Sequence, residues 1–186
     1  MSIAAAFAAD KPAPFKAAPA ASYEHRQTNA QVTIAADPYL ADEKQKVAFG
    51  KVRPTDWGIS PVLVVIQNDT GGAIRLEHMK MEISGPDRKT VEATPAREVR
   101  YLNPVGRPPI IAGPTGPVPG RMKKNPLDAW EIEGRAFAAQ MLPAGQSAYG
   151  FFYFQTGLHG ESTLLVSGLQ EASSGKELLF FEIPLR

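Results

Sequence analysis

The chain has 186 residues, a length that suits one domain with tails. Its hydrophobic share of 44% and charged share of 21% are those of a globular protein with enough apolar side chain for a core, so disorder is not the default. Twenty basic against nineteen acidic residues leave +1, which removes a global electrostatic case for nucleic acid or an anionic membrane; the absence of cysteine excludes disulfides, thiol nucleophiles and zinc–cysteine sites.

The chain opens with "MSIAAAFAADKPAP", whose apolar run from Ile3 ends in Ala6-Phe7-Ala8, the small-x-small pattern that precedes a signal-peptidase cut. Residues 1–8 therefore read as a signal-peptide remnant, with cleavage before Ala9 and a periplasmic or secreted destination. An ordinary Ala-rich tail is the alternative. Residues 9–30 are expected to form a disordered Ala/Pro-rich tether, because from 9 to 22 Phe15 is the only large apolar group. No run approaches the roughly 18 apolar residues of a membrane span, so none is expected.

The folded domain is expected over residues 31–186. "QVTIAADPY" reads as a strand ended by Pro38, and "LADEKQKVAFG" as a helical turn closed by Gly50. In "PVLVVIQNDTGGAIRLEHMKMEIS", Val62 to Ile66 are apolar at both parities, as in a strand covered on two faces, and "NDTGG" is turn chemistry; together they predict a β-hairpin. In its second arm Ile74 and Leu76 share one parity while Met79, Met81 and Ile83 share the other, which predicts a bulge near Glu77 and His78. "GPDRKTVEAT" adds a turn and a strand, and "PAREVRYL" allows a short helix or an extended edge.

Residues 103–126 hold seven prolines and four glycines in 24 positions, which forbids regular ladders. They are expected as an arm without helix or strand, laid over one domain by Val105, Ile110, Ile111 and Val118. "LDAWEIEGRAFAAQML" suggests one or two short helices, "LPAGQSAYGFFYFQT" a turn and an aromatic strand, and "STLLVSGLQEASSGKELLFFEIPL" two strands around a Ser-Ser-Gly turn. Short strands between turn signals predict a mainly β fold, an antiparallel Ig-like β-sandwich with short helical decorations.

"PVLVVIQND", "LPAGQSAYGFFYF" and the terminal "LLVSGLQEASSGKELLFFEIPL" resemble the Ig-like domains of the FxLYD kind found in exported bacterial proteins. The resemblance covers about residues 61–91 and 142–184; the Leu-Tyr-Asp run that names the family is not present. It implies fold and export, and it carries no catalytic residues.

Among chemistry-bearing residues, His78, Met79 and Met81 form the run "HMKM", whose side chains suit Cu(I). Regular strand geometry sends His78 and the two methionines to opposite faces, so core packing with a surface histidine is the preferred reading and no metal or cofactor is expected. His159 beside Glu161 and Ser162 reads as a solvated loop, since a triad needs convergence in space. "SGKE" at 174–177 reads as a turn, and "NDT" at 68–70 matches a glycosylation sequon that turn chemistry already explains. Arg107, Arg121, Lys123 and Lys124, with Arg100, lie in a stretch without acidic residues between Glu98 and Asp128, a candidate partner-binding surface. The resulting expectation is a non-enzymatic binding or accessory module for another envelope or extracellular protein. A small-ligand or copper carrier and a hydrolase of unrecognised type are the alternatives.

Overall fold

A two-residue turn opens the sheet system. β1 (Arg26–Asn29) and β2 (Val32–Pro38) pair antiparallel with Asn29 opposite Val32, leaving Ala30 and Gln31 as the loop. Both stand at positive φ, 46° and 61°, as a type I′ turn requires, although neither is the Asn or Gly that such a turn favours. The computed structural model describes residues 15–99, 111–113, 116–118, 127, 130–158, 161–178 and 180–185.

After β2, α1 (Asp42–Phe49) ends at Gly50, as the sequence predicts. The helix is tied down by buried Gln45, whose amide nitrogen donates to the Leu40 carbonyl and the Thr55 hydroxyl while its oxygen accepts from the Thr55 backbone N–H. Next come β3 (Ser60–Asn68), β4 (Ile74–Arg75), β5 (Lys80–Ser84) and β6 (Thr90–Glu92). They are followed by β7 (Ile111–Gly113), β8 (Gly116–Val118), α2 (Trp130–Gly134), β9 (Met141–Leu142) and β10 (Ser147–Phe154). β11 (Ser162–Ser167), β12 (Gln170–Glu171) and β13 (Phe181–Leu185) complete the chain.

Among the described residues all the strand ladders are antiparallel. One sheet runs β1-β2-β3-β10, a second β13-β11-β5-β6 and a small third β12-β4-β9, with β7-β8 as a separate pair. The apolar side chains of β3 divide by parity. Val62, Val64 and Ile66 join Val32, Ile34 and Phe154 in a core shared with Met81, Ile83, Leu164, Val166, Phe181 and Ile183 of the second sheet. Leu63 and Val65 face the other way, into a cluster with Phe49, Ile132, Phe151 and Tyr153 beneath the helices. β3 is thus covered on both faces, which is why its sequence lacks polar alternation.

Four expectations need correction. The expected hairpin between β3 and the following strand does not form: β3 pairs with β2 and β10, while β5 pairs with β11 and β6. The expected bulge at Glu77 and His78 is a full turn in which the Met79 N–H donates to the Leu76 carbonyl, and the change of parity marks a passage between two sheets. The expected tether through residue 30 is ordered well before that point. Phe15 and Ala17 pack against the cluster beneath the helices, Ala20 is buried, and β1 is already a strand. The arm, expected without strand, contains the β7-β8 ladder, with Ile111 opposite Val118; a pair of three-residue strands tolerates Pro117, because a strand at an edge need not use every N–H. The rest of the arm lies outside the described residues, as do residues 1–14 and 159.

The chain changes sheets at Asn68, which is fully buried. Its Nδ2 donates to the carbonyls of Gly72 and Leu142, both at 2.9 Å, and its Oδ1 accepts from the Thr70 N–H at 3.0 Å and the Thr70 hydroxyl at 2.6 Å. Its backbone meets the turn before β10, through the Gln146 carbonyl and the Gly145 N–H. With both amide hydrogens engaged and no exposed surface, the side chain serves the turn; the sequon is not presented.

Two stability outcomes follow from these contacts. Asn68→Ala leaves the Leu142 carbonyl buried without its donor and should cost about 2–3 kcal/mol in chemical denaturation. Gln31→Gly replaces a strained left-handed residue with the one the turn prefers and should raise stability by about 1 kcal/mol in the same assay.

Candidate functional site

The two large sheets meet along two seams, and the seams differ. On one side β1 is laced to β13: Gln27 Oε1 accepts from the Glu182 N–H at 2.6 Å, and Asn29 Nδ2 donates to the Phe180 carbonyl at 3.1 Å. These side chains occupy backbone groups on the outer edge of β13, the groups through which an edge strand would otherwise recruit another chain.

The opposite seam runs between β6 and β10. The outer edge of β10 exchanges hydrogen bonds with three neighbours: the Thr94 N–H donates to the Tyr153 carbonyl at 2.7 Å, the Phe137 N–H to the Phe151 carbonyl at 3.1 Å, and the Phe151 N–H to the Arg135 carbonyl at 2.8 Å. Gly150 is dictated by this approach, since a Cβ there would stand 2.3 Å from the Phe137 Cα. The chain after α2 therefore edges β10 without closing the space towards β6.

A cleft of about 180 Å³ remains in that space, lined by Met79, Met81, Phe137 and Phe152 with Lys80 and Glu92 among its polar groups. Small-molecule sites usually measure ≈ 300–1,000 Å³, so this volume suits one or two inserted side chains. Further along the seam a second, open recess of about 490 Å³ lies between the β5–β6 turn and Thr156-Gly157. In that turn the Asp87 carboxyl is held below its ordinary range, first by the Lys89 backbone N–H and also by the Lys89 side chain.

The run His78 to Met81 thus contributes to the cleft, but its candidate ligands are not brought together. Met81 is in the shared core, Met79 is half-buried against it, and His78 is exposed in the turn, 3.7 Å from the Glu77 carboxylate. The turn is pinned from the other side by Gly168, at φ +79°, where a Cβ would stand 2.1 Å from the His78 carbonyl oxygen. Among the described residues no three His, Cys, Asp or Glu side chains group as a metal site. Arg107, Arg121, Lys123 and Lys124, like Arg100 and His159, lie outside the described residues. "SGKE" at 174–177 leaves the turn at 172–174 for a β-bridge, with Ser174 bonded to Glu171 and Glu177 paired with Gln170.

Tyr153, on the far wall of the cleft, is nearly completely buried and donates to the Ile132 carbonyl at 2.8 Å. Burial holds its phenol well above the ordinary range, against a smaller opposing effect of Arg135. It therefore acts as a neutral donor, and its contribution to stability is complete below about pH 10 and lost as pH rises through the folded-state value. Sequence patterning could not have revealed the cleft, because its walls come from β5, β6, the segment after α2 and β10, which the chain order separates. The one local sign was the string of rings in "GFFYF".

No family model and no curated protein matches the chain. Two solved structures are similar to it at low scores. One, a Northeast Structural Genomics Consortium target solved by X-ray crystallography, is 10% identical over 86% of this chain and 90% of that one, with a TM-score of 0.36. The other, a functionally unknown protein from Listeria monocytogenes EGD-e, is 10% identical over 87% and 82%, with a TM-score of 0.36.

The positions of His78 and Met81 separate a packing role from a ligating one. Met81→Ala should cost about 3 kcal/mol through the cavity it leaves, whereas His78→Ala should change stability by less than about 0.5 kcal/mol, both read from denaturation midpoints with and without added Cu(I). Equal losses, or a midpoint raised by copper only in the parent chain, would reverse the assignment.

Proposed function

We propose that the chain is an exported Ig-like β-sandwich of the FxLYD-like kind, serving as a non-enzymatic module that binds another envelope or extracellular protein through the seam between β6 and β10. The observation that carries this reading is the contrast between the seams: one is laced by Gln27 and Asn29, while the other keeps an aromatic- and methionine-lined cleft of side-chain size. Methionine and aromatic walls adapt to an inserted side chain, and Lys80 and Glu92 supply charges of both signs to select it. The face-to-face packing of two antiparallel four-stranded sheets supports the Ig-like assignment, and the Ala6-Phe7-Ala8 pattern supports export. Among the described residues no helix is long and apolar enough to cross a membrane.

A photo-crosslinking amino acid placed at Lys80 or Glu92 in cells that make the chain tests this. The expected outcome is a discrete adduct with one exported protein from both positions and none from Val47, which is 70% exposed on α1. Adducts equally frequent from Val47, or an endogenous chain that keeps Met1 and stays with the cytosolic fraction, would overturn it.

A further inference from the structure

The N-terminal segment crosses the other face of the first sheet, away from the seam. The ring of Phe15 sits among four groups: Tyr39 edge-on at 6.0 Å between centroids, Tyr149 at 6.3 Å, Phe151 at 5.4 Å, and the Arg135 guanidinium 5.3 Å from the ring centre. Ala17, Ala20 and Tyr23 follow against the same cluster, while Lys16, Ala18, Pro19, Ala21 and Ser22 face outward. Ala20–Ser22 form a single 3-10 turn, entered from Pro19 at φ −57° and ψ 145° and left through Tyr23 at −85° and 145°.

The mode of attachment differs from that of a strand. The main-chain hydrogen bonds of residues 19–23 are internal, from Ser22 to Pro19 and from Tyr23 to Ala20. Among the described residues, the polar links to the body run through side chains: the Tyr149 hydroxyl donates to the Phe15 carbonyl at 3.3 Å, and Arg26 donates to the Tyr23 carbonyl. No sheet ladder is broken if the segment leaves. One ring and several small side chains thus hold the segment in an aromatic-lined groove, while its backbone is folded on itself at Ala20–Ser22.

The fit is also incomplete. Arg135 Nε is buried and meets no hydrogen-bond acceptor among the described residues. An oxygen brought to Arg135 Nε by a competing segment would add a hydrogen bond there. Covalent attachment compensates, because a tethered segment competes at high effective concentration.

We propose that this groove is a peptide-binding site occupied in cis by the chain's own segment, and that its exchange partner is a segment of another protein with the same pattern, aromatic-x-Ala-x-Pro-Ala. The groove lies on the face of β10 opposite Phe152 and Met81, with Phe151 bordering both, and its test reads peptide binding, which the seam reading does not require.

Full-length Phe15→Asp, which unseats the segment with a charge, provides the test, using fluorescence anisotropy of a labelled synthetic peptide spanning residues 12–24. The variant should bind the peptide saturably and at least tenfold more tightly than the parent chain, and the same peptide with Phe15→Ala should lose at least tenfold. Adding Tyr149→Ala to the variant should abolish binding. A folded variant that binds no better than the parent chain, or binds the Ala peptide equally, overturns the proposal. So does a variant that takes no peptide and instead self-associates in light scattering, which would make the emptied face a contact between copies. Should Phe15→Asp unfold the chain, Phe15→Ala is measured in its place; unfolding of both would show the segment to be an inseparable part of the core, and this too overturns the proposal.

Discussion

Asn68 ends the central strand at full burial, and its side-chain amide secures both the exit of the chain from β3 to the small sheet and its return from β9 to β10. Outward, Thr70 and Gly72 bond to it as the chain leaves β3 for β4; inward, the Leu142 carbonyl bonds to it just before the chain enters β10. Either crossing alone could be made by many turns. Holding both on one amide sets their separation, and with it the register in which β10 lies against β3, Ser147 opposite Gln67 through Phe154 opposite Ser60. A buried amide with every hydrogen engaged is sharply directional, and apolar packing is not, so this position specifies the fold where the core only stabilises it.

The register has consequences on both faces of the first sheet. It places Phe152 and Phe154 toward the core shared with the second sheet, and Phe151 and Tyr153 toward the helices. It also brings Gly150 to the only kind of residue surface that lets the backbone at Ala136 and Phe137 come within hydrogen-bonding reach of the edge. From there the cleft beside β6 follows: the chain after α2 guards the edge of β10 and leaves the inter-sheet space beneath it partly unfilled.

The layer above the first sheet is built by a different rule. Phe49, Phe151 and Tyr153 stack at centroid distances of 4.8 to 6.5 Å, and Tyr39 and Phe15 extend the array outward. Burial, and to a lesser degree the Asp37 carboxylate and Tyr23, raise the Tyr39 phenol above its ordinary range, so it stays neutral within the array. Rings packed edge to face tolerate small shifts of their outermost member better than a hydrogen-bonded ladder does.

Local chemistry was enough to locate most of the strands. β-branched Val62 to Ile66, the rings of "GFFYF", Gly50 after α1 and the Asp87 turn are each decided by neighbours within a few residues, and the sequence by itself determined them. It also showed that β3 is covered on two faces, because parity is a local property. It could not name strand partners. "NDTGG" is good turn chemistry whether the following strand folds back on β3 or crosses to the other sheet, and the choice depends on Asn68 meeting Leu142, 74 residues later. Nor could it foresee that a segment with the composition of a tether would be ordered. A single Phe in Ala and Pro looks unanchored until Tyr39, Tyr149, Phe151 and Arg135, drawn from three separate stretches, assemble around it. Pairing and pocket formation depend on contacts between residues distant in the chain, and only the tertiary structure decides those.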